Sequence, residues 1–468
     1  MEVRHSANRK VIVFVSAVAV IAWSAAFTEP AGAVDTPARA VTGDSGGMLT
    51  PSPSPSSSAS SSSGDMFIDD ALYEAYRANP VLAAIVAQRP VAEAGLVQAK
   101  IRINPTYNNQ FAPEEATYHF VDIKTTTQLG FKRQRRIEVA QRSIDSTDAT
   151  IRTMAWKIRQ DTEAAFFELA IAQETLDVMQ TYVDVTRRLF TIAEQRRQSR
   201  DASGLEVLRA DAAVADAKTQ LAPVVVRVQQ AERQLNIVLG RRAQQPLRIS
   251  APSFLNLDHL PGRLPEFDQL VIDAEQNRPE YKQNSADIGV QQAKVKLARA
   301  TRWPDVQIGM GISSVPQSAN VHYWGSHIKQ KPFLYAQIPI TIFDYGQGAE
   351  ALARASFLQL QAQRKALTNQ VRQELNTWYS AAQGAEQQLR IFIDETLPKQ
   401  SRVVVLTEKG YSAGVIDLTG AITAQQAALG ARLSFLQAAT RYFQALVELE
   451  RATGKPLIGE LTGGAQRR

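Results

Sequence analysis

The sequence predicts a mainly α-helical fold with a smaller β part, and three observations lead to this prediction. The segment from Arg133 to about Arg200 contains no proline and repeats apolar residues at helical spacing, which indicates a single helix. Its roughly 68 residues would span ~100 Å at about 1.5 Å per residue. A similar segment runs from Gln347 to about Lys409, and shorter segments alternate apolar and polar residues as strands do. Helices of this length indicate an elongated tube or bridge.

Composition excludes several classes of protein. The 468 residues are 44% hydrophobic and 21% charged, which is enough apolar material for a large core. Cysteine is absent, so the chain has no disulfide, no thiolate metal site, no cysteine nucleophile and no lipid-modified N-terminal cysteine. The net charge of +6 comes from scattered basic residues rather than from one basic stripe, which argues against a nucleic-acid partner.

Residues 1–33 are predicted to be a signal peptide that directs secretion across the inner membrane. A basic start precedes an apolar run at Val11–Ala26, and Ala31-Gly32-Ala33 supplies small residues for cleavage. A retained membrane anchor is the alternative, but the run of about 16 residues is short for a span of ~20. No later apolar run is as long, so no second helical span is expected.

From Met66 onward the chain is predicted to contain two related halves. Pro279 follows Pro80 by 199 residues, and Pro304 follows Pro105 by the same number. Two pairs of prolines with the same separation argue for a duplication. Each half is predicted to run helix, helix, β-hairpin, long helix, turn, long helix.

The predicted boundaries follow from these landmarks. They are the signal peptide at 1–33, a disordered Ser/Pro-rich segment at 34–65, a first repeat at 66–240 with a hairpin at about 104–131, a linker at 241–269, a second repeat at 270–457 with a hairpin at about 305–343, and a polar tail at 458–468. In each repeat the long helices meet at a turn containing Gly204 or Gly414, where glycine is expected because it accepts a positive φ.

The hairpins fit strands that cross a membrane. Residues 306–313 and 333–342 alternate apolar and polar side chains, and a membrane barrel strand needs about 9–11 residues. A half-buried soluble hairpin is the alternative. Open strand edges cannot face lipid, and four strands do not close a barrel. An oligomer could close one, and three chains would supply twelve strands, so an oligomer is expected from the strand edges.

Several motifs, in order and duplicated, resemble those of the outer membrane efflux protein family, the TolC-like channel proteins. The resemblance covers roughly residues 66–457. Its motifs are Asn79-Pro80-Val81-Leu82, Arg278-Pro279-Glu280-Tyr281, the strand-to-helix junction Ile338–Gly346, Leu397-Pro398 followed by Tyr411-Ser412-Ala413-Gly414, and the closing Leu449–Gly454.

This resemblance implies a homotrimer with a twelve-stranded barrel in outer-membrane lipid and a helical tunnel across the periplasm. The chain would be the exit duct of a tripartite efflux system, joined by a periplasmic adaptor protein to an inner-membrane pump. Such a duct performs no chemistry, so no enzymatic activity, catalytic residue, cofactor or metal site is expected. The segment Leu129–Ala140 is similar to the junction of the heavy-metal branch (the cobalt–zinc–cadmium type), which points to heavy-metal cations or small toxic compounds as cargo.

The resemblance also implies candidate functional residues. The tunnel of the family narrows at its periplasmic tip, where acidic side chains surround the threefold axis, and carboxylates there attract cations. The pore-gate candidates are Asp417, Glu206 and Tyr411. For Asp417 the alternative is a role as a helix cap. The candidates for contact with the adaptor are the tip residues Ser203, Gly204, Leu205, Ala413, Gly414 and Val415.

Other functions remain open from the sequence. A type I protein secretion duct has the same architecture. A periplasmic coiled-coil scaffold without transport activity would have the long helices but should lack the paired hairpins. An enzyme is least favoured, because no phosphate-binding loop or nucleophile motif occurs.

Overall fold

The computed structural model describes residues 66–112, 118–250, 264–315 and 329–458. The predicted signal peptide at 1–33 and the Ser/Pro-rich segment at 34–65 lie outside the described residues. So do the middle of the predicted linker and nearly all of the predicted polar tail.

The two halves have the same order of elements. The first half folds into α1 (Ile68–Ala78), α2 (Pro80–Val86), α3 (Gln88–Lys100), β1 (Thr106–Ala112), β2 (Tyr118–Gln128), α4 (Lys132–Gln198) and α5 (Gly204–Val238). The second half folds into α6 (Phe267–Asn277), α7 (Pro279–Ala300), β3 (Asp305–Val315), β4 (Lys329–Gln337), α8 (Gln347–Ile391), a π-helical turn (Phe392–Thr396), α9 (Leu397–Ser412) and α10 (Leu418–Thr453). The predicted fold, long helices with two hairpins, is confirmed.

Helix α4 is the single long helix that the sequence predicted. It runs for 67 residues, which corresponds to ~100 Å. The chain enters it through Gly130 and Phe131, whose φ angles are 71° and 59°. A Cβ on Gly130 would lie 2.6 Å from Trp303 Cδ1, so only glycine fits there. The tight approach fixes the start of α4 against the second half of the chain.

The second long helix is not uniform, contrary to the prediction for Gln347 to about Lys409. A π-helical turn at Phe392–Thr396 separates α8 from α9, and Pro398 follows in the first turn of α9. Proline cannot donate the backbone hydrogen bond that a continuous α-helix requires. The wider turn accommodates it, and the chain remains helical on both sides.

The predicted helix before the first hairpin is also divided, because α2 and α3 meet at Ala87. Within the described residues, Pro80–Lys100 has the length and composition of a membrane span, with a mean hydropathy of 1.3 in its most apolar window. Both α2 and α3, which make up this stretch, pack along α4. The expectation of no second span remains a prediction.

The four strands form one antiparallel sheet in the order β1-β2-β3-β4. Alternate side chains point to opposite faces. The apolar face carries Val121, Ile123, Ile308, Met310 and Leu334, and the polar face carries Asn108, Asp122, Lys124, Gln307 and Tyr335. Leu334 is 73% exposed. β1 and β4 are the outer strands, and neither has a second strand partner within the described residues.

The predicted extent of the last strand was wrong. The alternation through Ile342 predicted a strand to that point, but β4 ends at Gln337, which pairs with Gln307. Pro339 has no N–H for the ladder, and β4 lies at the edge of the sheet, where little else holds the following residues in register. Ile340 therefore lies outside the strand, with 83% of its surface exposed.

The largest apolar core lies where α4 and α10 pack together near the middle of α4. Phe167 stacks on Phe443 with ring centroids 4.4 Å apart, and Leu169 and Leu446 are fully buried. Helices α1 and α5 also contribute residues to this cluster. The core therefore joins both halves.

Two buried glutamates lie beside this core. Burial raises the pKa of Glu163 to about 9, and the adjacent Glu450 adds to this rise, while Arg159 opposes it. Glu450 accepts hydrogen bonds from the backbone N–H groups of Leu457 and Ile458, the latter at 2.6 Å. These bonds fasten the end of the described chain to α10.

In each half, the glycine that follows the last helix packs against the break between the first two helices of that half. In the first half, Gly240 has a φ of 73° and lies against the backbone of Ala78. The neighbouring Asn79 caps α2 by accepting a hydrogen bond from Val81 N at 2.9 Å, and its amide donates to Val238 O at 2.8 Å.

In the second half, Gly454 has a φ of 72°, and a Cβ there would lie 2.6 Å from Arg278 Cα. Arg278 is 4% exposed and pairs with Glu280 at 3.1 Å and Glu374 at 2.8 Å. Both halves therefore have the glycine contact, with an amide side chain at the first break and an arginine at the second.

We expect Gly454→Ala to destabilise the protein by about 1–3 kcal/mol, because alanine disfavours the positive φ and its Cβ meets the Arg278 backbone. Thermal unfolding of the purified chain in detergent measures this. Gly430→Ala is the matched control, since nothing lies within 4 Å of the added Cβ and alanine favours the helix. Equal melting temperatures for the two variants would contradict the close contact.

Candidate functional site

The two turns between long helices lie side by side and form the candidate site. Both α4 and α9 end in a Schellman motif, in which a residue with positive φ follows the helix. In the second turn this residue is Gly414, with a φ of 76°, as predicted. In the first turn it is Arg200, with a φ of 66°, so the expectation for Gly204 was wrong. Gly204 lies after the turn, as the first residue of α5.

A side-chain cap begins each returning helix. Ser203 Oγ accepts a hydrogen bond from Glu206 N at 3.2 Å at the start of α5. Asp417 Oδ1 accepts one from Gly420 N at 3.0 Å at the start of α10. Both are standard N-caps, which satisfy a backbone N–H that lacks a partner within the helix. The cap role considered for Asp417 is therefore present in the structure.

A tyrosine, a glutamate and an arginine connect the two turns. The Tyr411 hydroxyl donates a hydrogen bond to Glu206 Oε1 at 3.0 Å. The Arg196 guanidinium lies 3.6 Å from the same oxygen and 5.0 Å from the centre of the Tyr411 ring. Arg196 Nη1 also donates to Tyr411 O at 3.4 Å. Arg196, in the last turn of α4, therefore contacts α9 directly and pairs with Glu206 in the first turn of α5.

Burial strengthens this connection. Tyr411 is fully buried, in a small apolar cluster with Leu189 and Leu418. This burial, together with the carboxylate of Glu206, raises the pKa of Tyr411 to about 12. The phenol therefore remains protonated at physiological pH and keeps donating to Glu206. A charge-assisted hydrogen bond of this kind is stronger than a neutral one.

The structure brings together two of the three pore-gate candidates, Tyr411 and Glu206. Asp417 is not part of their cluster: it is exposed and caps its own helix. Sequence reasoning missed Arg196. Its position in the last turn of α4, where a cation favours the helix dipole, was the available signal, but nothing in the sequence showed which side chains it meets.

The predicted tip residues lie at the surface of the chain. Val415 is 81% exposed and Leu205 is 57% exposed. Two exposed apolar side chains at adjacent turns are available for contact with another molecule. Within the described residues, no group of three or more His, Asp or Glu residues could hold a metal ion. The absence of a catalytic or metal site remains a prediction.

The fold of this chain is similar to that of a solved membrane channel protein. The chain superposes on the crystal structure of CusC, described as a transmembrane channel, with a TM-score of 0.66 over 83% of this chain and 92% of that one, at 15% sequence identity. This likeness concerns the fold alone.

The sequence profile of the outer membrane efflux protein family matches residues 119–241 and 270–455, well over half of the chain. The chain belongs to this family. It is 25% identical over 400 residues to the cobalt-zinc-cadmium resistance protein CzcC of Cupriavidus metallidurans, covering 84% of this chain and 91% of that protein. It is also 23% identical over 326 residues to the pyoverdine export outer membrane protein OpmQ of Pseudomonas aeruginosa, covering 67% of this chain and 66% of that protein.

We expect Tyr411→Phe to loosen the two turns. The variant loses the hydrogen bond to Glu206 and leaves that carboxylate with only Arg196, at an expected cost of about 1.5–3 kcal/mol. Hydrogen exchange at neutral pH should then accelerate by a factor of ten or more at residues 199–206, by about tenfold per 1.4 kcal/mol. Tyr379→Phe, at a tyrosine distant from the turns, is the control. Unchanged exchange would show that the bond does not hold the turns together.

Proposed function

We propose that three copies of this chain form the exit duct of a tripartite efflux system in the outer membrane. The observation that carries the proposal is the four-stranded sheet. It has an exposed apolar face, a polar face and two outer strands whose far edges have no partner within the described residues. In lipid, those outer strands require partners, because unsatisfied backbone groups in hydrocarbon cost several kcal/mol each.

A symmetric oligomer would give the backbone groups at these strand edges hydrogen-bond partners. β4 of one copy can pair with β1 of the next, and three copies give a barrel of about twelve strands with the apolar face toward lipid. The long helices that follow each hairpin then form a helical tunnel in the periplasm. A scaffold without transport activity, the alternative from another class, gives no role to the exposed apolar face of the sheet.

The other members of the system are a periplasmic adaptor and an inner-membrane pump. The exposed turns carrying Leu205 and Val415 are the proposed contact with the adaptor. In this arrangement the pump supplies the energy, and the duct itself is not an enzyme and needs no cofactor.

Heavy-metal cations are the proposed cargo. The match to CzcC extends over most of both chains, and the junction Leu129–Ala140 is similar to that of the heavy-metal branch. The match to OpmQ favours small organic compounds as a second candidate cargo. A type I protein secretion duct remains the alternative within the same architecture.

The turn cluster is the proposed gate of the tunnel. Tyr411 and Arg196 hold the α9 turn to Glu206 on α5, so opening the tunnel at this end would require breaking these bonds. Asp417, exposed beside the same turn, would add negative charge at the entrance and favour cations.

Two variants separate the proposed role of Asp417 in cation selectivity from its role as a helix cap. Asparagine caps a helix about as well as aspartate, whereas alanine does not. We expect Asp417→Asn to assemble normally and to lower the cation selectivity of the reconstituted channel, measured as the reversal potential in a salt gradient. Asp417→Ala should do the same and also reduce stability. If Asp417→Asn keeps the selectivity of the wild type, Asp417 is a cap only.

The cargo is tested in a strain that lacks the gene. We expect the strain to become sensitive to zinc, cobalt or cadmium, and restoration of the gene to reverse this. The control is a panel of organic toxic compounds tested in parallel. Sensitivity to the organic panel alone would replace metals with small organic compounds as cargo.

A further inference from the structure

A tyrosine lies flat across the polar face of the sheet. Tyr335 on β4 pairs with Gly309 on β3, and a Cβ on Gly309 would lie 2.5 Å from Tyr335 Cε1 and Cζ. The ring therefore occupies the space that any side chain at position 309 would fill. Beyond β3, the Tyr335 hydroxyl donates a hydrogen bond to Asp122 Oδ2 on β2 at 2.6 Å. The side chain thus spans two strands and ties the second hairpin to the first.

The neighbouring pair repeats this arrangement. Phe333 pairs with Gly311, and a Cβ on Gly311 would lie 2.7 Å from Phe333 Cζ. The rings of Phe120, Phe333 and Tyr335 form a row, with centroids 4.8 Å and 5.9 Å apart and interplanar angles of 24° and 23°. The planes of neighbouring rings are therefore close to parallel, and all three rings lie on the polar face of the sheet.

The aromatic row also covers a carboxylate. Asp122 is 2% exposed, and its Oδ1 accepts no hydrogen bond from the described residues. Burying a carboxylate oxygen without a partner costs stability, so stability alone does not explain the arrangement. The aromatic row also has a geometric consequence: its rings lie against the sheet and project little above the polar face.

We propose that Gly309 and Gly311 hold this aromatic row flat, so that it sets the size of cargo that the barrel can pass. The inference rests on the proposed function, because it requires the polar face to line the lumen. Barrels of about eight strands are filled by their own side chains, and barrels of about sixteen leave an aqueous channel. A twelve-stranded barrel lies between these cases, so the height of inward aromatic rings decides how much of the lumen is open.

Position 309 allows a clean test. The three atoms nearest to an added Cβ there all belong to the Tyr335 side chain, which can move once its hydrogen bond to Asp122 is broken, whereas an added Cβ on Gly311 also meets the backbone carbonyl of Val121. In Gly309→Ala the ring cannot stay flat. The sheet lies beneath it, so the ring rises into the lumen.

The measurement uses the natural absence of cysteine. Gln307 lies on the polar face two residues before Gly309, at the end of β3 that adjoins α7, and the other end of β3, at Val315, lies on the far side of the aromatic row. A thiol reagent added outside intact cells must therefore pass the row to reach Gln307→Cys. Labelling from outside also avoids the proposed gate at the helical turns, which lies at the opposite end.

We expect a small thiol reagent to label Gln307→Cys at equal rates with and without Gly309→Ala, and a bulky reagent to label the Gly309→Ala form at least about threefold more slowly. Adding Tyr335→Ala should restore or exceed the original rate. Gly430→Ala, far from the sheet, should change neither rate. Trimer levels are compared on gels so that rates are taken from assembled protein.

The outcomes separate the inference from the function on which it rests. If the small reagent does not label Gln307→Cys from outside, the polar face does not line a lumen, and the proposed duct falls together with the inference. Labelling by the bulky reagent at an unchanged rate in Gly309→Ala would overturn the inference alone. If Gly309→Ala does not assemble, Tyr335→Ala by itself decides: faster bulky labelling supports the role of the ring, and an unchanged rate overturns it.

Discussion

The open outer edges of the described sheet are the constraint on which the rest of the structure depends. A sheet with one apolar face can lie in a bilayer only if its edge N–H and C=O groups find partners. The described residues supply four strands and leave one edge of β1 and one edge of β4 without a partner, so in the proposed duct the missing partners come from other copies. The proposed trimer follows from this requirement. The position of the hairpins then determines where the long helices go, since each leads directly into one.

Close backbone contacts at glycine residues hold the long helices in place. Gly130 lies against Trp303, Gly240 against Ala78 and Gly454 against Arg278, and each has a positive φ. These contacts occur at the ends of helices, where a small error in angle would displace the far end of a long helix, such as the ~100 Å α4, by many ångströms. Exact positions at the ends matter more for such an object than additional apolar contacts along its length.

The proposed gate and the aromatic row of the barrel show two uses of polar bonds between distant parts of the chain. Tyr411 reaches Glu206 at the helical turns, and Tyr335 reaches Asp122 in the sheet. Each bond connects the two halves, and each involves a carboxylate that is largely shielded from water. At the turns, the bond joins segments that would have to separate for the proposed tunnel to open. In the sheet, the bond holds the Tyr335 ring against the polar face.

The sequence by itself determined the long helix α4, the order of elements in each half and the four alternating strands, because these depend on local spacing of apolar residues and on proline positions. It also identified Tyr411, Glu206 and Asp417 through resemblance. Only the tertiary structure decided that Arg196 joins Tyr411 and Glu206, that Arg200 rather than Gly204 takes the positive φ, and that β4 ends at Gln337. Each of these depends on contacts or ladder partners far away in the chain, which local spacing does not encode.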